Sequence, residues 1–120
     1  MDRLFTNERI QKMLRTGNNV RFQASGLSLM PLVHPGDMCM YEPVFDVNTI
    51  KLGDVVFCWV RGHDRWMAQH VLALTRESID GFVVRYFEIG YCRAVGEKIV
   101  GFCKIEDIYG RLVEVAGRSR

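Results

Sequence analysis

Short apolar runs separated by turn residues make up most of this chain, from residue 18 to residue 115. Gly, Pro, Asn and Asp recur at intervals of roughly ten residues, a spacing typical of all-β sandwiches and barrels. The sequence contains no internal repeat and no linker-like stretch that would divide it. The pattern therefore predicts that residues 1–120 form one mainly β domain, with its core in residues 18–115.

The hydrophobic periodicity changes once, near the N-terminus. Ile10, Met13 and Leu14 share one helical face, so residues 6–16 are predicted to form a short helix that ends before Gly17. The predicted strands are 20–24, 38–41, 54–60, 67–74, 82–89, 98–104 and 108–115. The last four residues, 117–120, are expected to fray.

Charge and hydropathy narrow the function classes. The 120 residues include 16 Lys and Arg and 14 Asp and Glu, and a net charge of +2 gives no general reason to expect nucleic-acid binding by this chain alone. The longest apolar run, residues 55–60, is far shorter than the ~20 residues of a membrane helix. No apolar signal-peptide segment is visible. We therefore expect a soluble, cytoplasmic protein without a membrane span.

The four cysteines predict neither a metal site nor a redox motif. They are Cys39, Cys58, Cys92 and Cys103, and no two of them form a C-x-x-C pair. Three of them lie inside apolar runs, so we expect buried free thiols in a reducing compartment. No cofactor and no metal are expected.

One segment, residues 25–37, carries residues suited to catalysis. Gly26 frees the backbone just before Ser28, and Pro31 constrains it just after. Such a turn can present a hydroxyl at the end of a strand, next to backbone N–H groups that could hold an oxyanion. A serine needs a neighbouring base to become a nucleophile. On composition alone, Ser28 is more simply an ordinary turn residue.

The spacing of this segment resembles a known family. Gly26-x-Ser28-x-x-Pro31, followed by Gly36-Asp37, is similar to the G-x-S-M-x-P…G-D box of the LexA-like and signal-peptidase-like serine peptidases. Further similar segments occur in the family's order, namely the helix, turn and strand of 14–22, Gly-Asp-Val-Val at 53–56, Gln-His-Val-Leu at 69–72 and Ile-Tyr-Gly-Arg-Leu at 108–112.

The resemblance implies a fold and an activity. The fold would be a coiled β-sheet half-barrel with one short N-terminal helix, and the activity would be that of a serine endopeptidase acting on an extended protein or peptide segment. Ser28 would be the nucleophile and His70 the general base of a Ser–His dyad. The resemblance also implies an oxyanion loop of Gly26, Leu27 and Ser28, and an apolar substrate-lining rim of Met30, Leu32 and Val33.

The identity of the base departs from the commonest form of the family, which uses lysine. None of the four lysines stands at the matching position, whereas His70 does. A histidine is already mostly neutral at pH 7, because its reference pKa is about 6.5. The resemblance therefore implies His70 as the proton acceptor.

Other departures leave alternatives open. Leu29 replaces the methionine after the nucleophile, Val71 replaces an arginine, and no carboxylate stands in the stretch that corresponds to the family's G-D-N segment. The alternative is a catalytically weak or inactive domain that acts as a protein-binding or regulatory module. A subunit of a larger assembly that pairs through its exposed sheet edge also remains open, as does a homodimer. The resemblance further implies a bacterial, phage or mobile-element origin.

Overall fold

The computed structural model of the chain describes residues 7–25, 29–60, 65–79, 82–90 and 99–120, and for 65–79, 82–85 and 99–100 it describes the backbone alone. The chain is mainly β, as predicted, with 46% of its residues in strands and one α-helix among the described residues. The helix is α1 (Asn7–Arg15). The strands are β1 (Val20–Gln23), β2 (Met38–Pro43), β3 (Val55–Val60), β4 (Arg65–Ile79), β5 (Phe82–Gly90), β6 (Ile99–Lys104), β7 (Ile108–Val115) and β8 (Arg118–Ser119).

All eight strands belong to one antiparallel sheet. The order is β1-β2-β7-β3-β4-β5-β6, with β8 paired to β7, so β7 is inserted between two strands that precede it in the chain. The sheet is strongly curled. Cα atoms of β3 and β6 come within 8 Å of each other, although β4 and β5 lie between these two strands in the strand order. Two short 3-10 turns, Val47–Thr49 and Ile105–Asp107, connect the strands.

Strand β3 separates two core clusters. The first core cluster comprises Ile10, Leu14, Val20, Leu29, Val33, Cys39, Tyr41, Val55, Phe57, Leu112 and Val115. The second core cluster comprises Val56, Cys58, Val60, Phe87, Ile89, Cys103 and Ile108. Side chains alternate between the two faces of a strand, so β3 supplies both clusters. This position accounts for the unbroken apolar run of the strand.

Helix α1 closes the first core cluster. Ile10 and Leu14 are buried on its inner face. The helix ends at Arg15, and Gly17 in the following turn has a φ of 94° and donates its N–H to the Leu14 carbonyl at 3.0 Å. The helix packs directly on β7 at Gly110. A Cβ atom added to this glycine would lie only 2.8 Å from Leu14 Cδ1, so a larger residue here would collide with the helix. This close approach positions the helix over the sheet.

The C-terminal residues are ordered, and the expectation that residues 117–120 fray is wrong. Ala116 and Gly117 adopt φ values of 50° and 81°, and this turn folds β8 back onto β7. The Arg120 N–H donates to the Val113 carbonyl at 2.9 Å, and its guanidinium donates to the Gly53 carbonyl at 2.7 Å. The contact with Gly53 joins residues far apart in the chain, so the short polar sequence of residues 117–120 does not predict it.

Two further expectations can be compared with the structure. Cys39, Cys58 and Cys103 are buried free thiols, as predicted, and Cys92 lies outside the described residues. Within the described ranges, no helix is long and apolar enough to cross a membrane.

Candidate functional site

The segment that follows β1 is a closed loop, here called the serine loop (residues 25–36). Its two ends are joined at the base. The Ala24 N–H donates to the Asp37 carbonyl at 2.8 Å, and the Gly36 N–H donates to the Ala24 carbonyl at 2.9 Å. These bonds continue the pairing of β1 with β2. The sheet therefore holds both ends of the serine loop, and the described residues 29–36 between them form turns rather than a helix or a strand.

Buried side chains fix the described part of the serine loop. Leu29 and Val33 belong to the first core cluster, and the Val33 N–H donates to the Leu29 carbonyl at 3.0 Å. The peptide bond between Met30 and Pro31 is cis. Met30 and Leu32 are half-buried. Of the three rim residues, Met30 and Leu32 thus keep accessible surface, whereas Val33 packs in the core with 2% of its surface exposed.

Two Gly-Asp turns have the same geometry. The Asp37 carboxylate accepts the His34 N–H at 2.9 Å, and the Asp54 carboxylate accepts the Lys51 N–H at 2.9 Å. In each turn the preceding glycine has a φ of 91°, a conformation that favours glycine. The interpretation of both aspartates as turn-capping residues is confirmed. One turn leads into β2 and the other leads into β3.

The general-base candidate lies on β4. His70 is paired directly with Val55 of β3 on one side and with Gly90 of β5 on the other. This pairing places residue 70 between β3 and β5 in the sheet. Gly26, Leu27 and Ser28, the remaining oxyanion and nucleophile candidates, lie outside the described residues.

The first core cluster links the two halves of the candidate site. Leu29, the residue that follows Ser28, and Val55, the residue paired with His70, both belong to it. Leu29 directly follows Ser28, and consecutive Cα atoms are 3.8 Å apart. The packing of Leu29 therefore anchors the chain at the position next to Ser28. The fold thus brings the described neighbours of both candidates to one cluster, although Leu29 and Val55 are 26 residues apart in the sequence.

A polar cleft beside β7 was not predicted from the sequence. Its volume is about 560 Å³, and its lining includes Glu42, Lys51, Asp54, Arg111 and Arg120. The guanidinium of Arg111 donates to the Thr49 carbonyl and to Glu42 Oε1, both at 2.9 Å, and lies 3.8 Å from Asp54 Oδ2. No local pattern could have revealed it, because Glu42 and Arg111 are 69 residues apart.

We expect Arg111 to hold the segment before β3 onto the sheet. Because its side chain is only 24% exposed, the Arg111→Met variant should lose about 1–2 kcal/mol of unfolding free energy in urea denaturation, after allowance for solvent screening. Arg21→Met is the matched control, since Arg21 is 60% exposed and lies 3.4 Å from Glu114. That variant should lose less than ~0.5 kcal/mol. Equal losses in the two variants would contradict this role of Arg111.

Across the described residues, no group of three or more His, Cys, Asp or Glu side chains is placed to hold a metal ion. Burial and the nearby Asp37 raise the pKa of Cys39 to about 11, so this thiol is neutral near pH 7.

Comparison with known proteins identifies no relative. No protein-family model, no curated protein and no solved structure matches the chain.

Proposed function

We propose that this chain is a serine endopeptidase of the LexA-like and signal-peptidase-like type, with Ser28 as nucleophile and His70 as general base. The observation that carries the proposal is the shared anchoring of their neighbours. Leu29 follows Ser28 and packs in the first core cluster, and Val55, which is paired with His70, packs in the same cluster. The proposed fold is the coiled half-barrel of that family.

The register of β4 supports His70 over other histidines. Directly paired residues of an antiparallel ladder lie on the same face of the sheet, so position 70 shares the face of Val55, which contributes to the first core cluster. His34 is exposed in the serine loop, and its N–H is held by Asp37. His34 is therefore the natural comparison residue for any test of His70.

The replacement of the family's methionine by Leu29 does not weaken the proposal. Leu29 is 9% exposed and packs in the core. An exchange between leucine and methionine nearly conserves volume and usually costs less than ~1.5 kcal/mol. The change therefore concerns packing beneath the serine loop rather than the groups that would react.

The proposed mechanism uses only groups of this chain. Neutral His70 accepts the proton of the Ser28 hydroxyl as its oxygen attacks a peptide carbonyl. Backbone N–H groups of the Gly26–Ser28 turn stabilise the negative charge on the carbonyl oxygen. His70 then protonates the leaving amine, and water hydrolyses the acyl-enzyme. An extended substrate would lie beside the rim that includes Met30 and Leu32.

An active-site-directed probe tests the proposal directly. The folded protein is incubated with a fluorophosphonate at pH 8, and the modified residue is located by peptide mass spectrometry. We expect one phosphonylated residue, Ser28, and no labelling of the Ser28→Ala variant. Ser25→Ala is the matched control, because Ser25 is an exposed serine of the same loop. This variant should be labelled as fast as the wild type.

Two results would overturn the proposed activity. One is the absence of any adduct in wild-type protein whose fold is verified by circular dichroism. The other is equal labelling of Ser25 and Ser28, which would indicate nonspecific modification of an exposed loop. Either result would favour the alternative of a non-catalytic binding or regulatory module.

A further inference from the structure

Two thiols meet inside the second core cluster, away from the proposed catalytic groups. Cys58 lies on β3 and Cys103 on β6, and both are fully buried at 0% exposure. They are not ladder partners, because Cys58 is paired with Met67 and Cys103 with Phe87. The cluster that holds both thiols therefore joins β3 and β6 across the curl of the sheet.

Both side chains belong to the same buried cluster, which places the two thiols near one another. The pKa of Cys58 is raised well above its ordinary value, first by a hydrogen bond with the Cys103 side chain and then by burial. Cα atoms of β3 and β6 approach within 8 Å. A disulfide usually requires Cα atoms about 4.4–6.8 Å apart, a spacing comparable with the approach of β3 to β6.

We infer that Cys58 and Cys103 are a covalent modification site, at which a low-molecular-weight disulfide such as oxidised glutathione produces an intramolecular disulfide that joins β3 to β6. This inference is independent of the proposed peptidase activity. The bond would link β3 to β6 within the second core cluster.

The reaction is a two-step thiol–disulfide exchange. The first cysteine loses its proton to solvent, and its thiolate attacks one sulfur of oxidised glutathione, which releases glutathione thiolate and leaves a mixed disulfide. The second cysteine, likewise deprotonated, attacks the protein sulfur of that mixed disulfide and releases the second glutathione. Two protein thiols are oxidised, and one glutathione disulfide is reduced to two thiols.

The strand order determines which cysteine reacts first. Among the described strands, β6 is at the edge of the sheet and pairs only with β5, whereas β3 lies between β7 and β4. Detachment of β6 breaks one ladder, and detachment of β3 breaks two. Since neither thiol is exposed in the closed structure, Cys103 should react during transient opening of β6, and Cys58 should attack when β6 returns.

The experiment uses the full chain and oxidised glutathione. The folded protein is incubated with the oxidant, alkylated and digested, and a second sample is unfolded and refolded in a glutathione redox buffer. We expect a loss of two hydrogen atoms from the protein mass and a linked peptide containing Cys58 and Cys103. The melting temperature of the oxidised protein should rise by several degrees, because a cross-link constrains the unfolded chain.

Single variants test the order of events. In Cys58→Ala, glutathione should remain attached to Cys103. In Cys103→Ala, Cys58 should be modified at least tenfold more slowly than Cys103 is in Cys58→Ala. Cys39→Ala is the control, because Cys39 lies in the first core cluster and its loss should leave the bond intact.

The inference fails if neither sample contains the 58–103 linked peptide, or if Cys39 or Cys92 forms the dominant disulfide. These measurements do not involve Ser28, so they can fail while phosphonylation succeeds, and the reverse also holds. If an alanine variant does not fold, the linked peptide in the wild type still decides the matter.

Discussion

Replacement of His70 by glutamine should slow phosphonylation of Ser28 by about 10²–10⁴-fold, the usual contribution of a positioned general base. Glutamine is close to histidine in size and remains polar, but it cannot accept the serine proton. The second-order rate constant for adduct formation, measured by mass spectrometry over time, reports this loss. At the position paired with Val55, the substitution leaves the backbone ladder of β3 and β4 unchanged.

The pH dependence gives a second, independent signature of His70. In the wild type, the rate constant should rise with pH as the imidazole loses its proton, because only the neutral ring can accept the serine proton. The His70→Gln variant should lack this rise. His34→Gln is the matched control, since His34 is exposed in the serine loop, and it should retain both the rate and the profile. A wild-type profile in His70→Gln would exclude His70 as the base.

Replacement of Phe57 by alanine should lower the free energy of unfolding by about 3–5 kcal/mol, the range measured for buried Phe→Ala substitutions. Phe57 is 1% exposed and lies on β3, the strand shared by both core clusters. Its ring contacts Phe22 and Tyr41 edge-on, with centroid distances of 6.2 and 6.4 Å. The substitution removes both ring contacts and leaves a cavity that the surrounding strands cannot readily fill.

Urea denaturation of wild type and variants measures this effect. Phe45→Ala is the control, because Phe45 is 79% exposed, and its loss should change the free energy of unfolding by less than ~0.5 kcal/mol. A similar small change for Phe57→Ala would contradict the assignment of Phe57 to the first core cluster.

Local patterns predicted several elements closely. The strand predicted at 108–115 matches β7, whose burial alternates along most of its length. The helix predicted at 6–16 corresponds to α1 (Asn7–Arg15), because its apolar spacing and Gly17 mark a face and an end. The Gly-Asp pairs before β2 and β3 also carried their turn geometry in the sequence, since an aspartate can cap a turn three residues back. Such features depend on neighbouring residues alone.

Contacts between distant residues were missed. The burial of Val33 reflects its packing with residues from other strands, whereas its own segment is an irregular loop. The ordering of Arg120 depends on the carbonyls of Gly53 and Val113. The candidate dyad could be predicted from the sequence only in part. Ser28 and His70 follow from motif order, and the sequence alone cannot specify the distance between them.

The sequence by itself determined the mainly β character, the helix, most strand positions and the candidate chemistry, because apolar periodicity, turn residues and motif spacing are local properties. Only the tertiary structure decided the insertion of β7 between β2 and β3, the pairing of His70 with Val55 and the placement of Cys58 and Cys103 in one buried cluster. The physical reason is that strand order and register minimise the exposed apolar surface of the whole sheet, a sum over residues that no short segment contains.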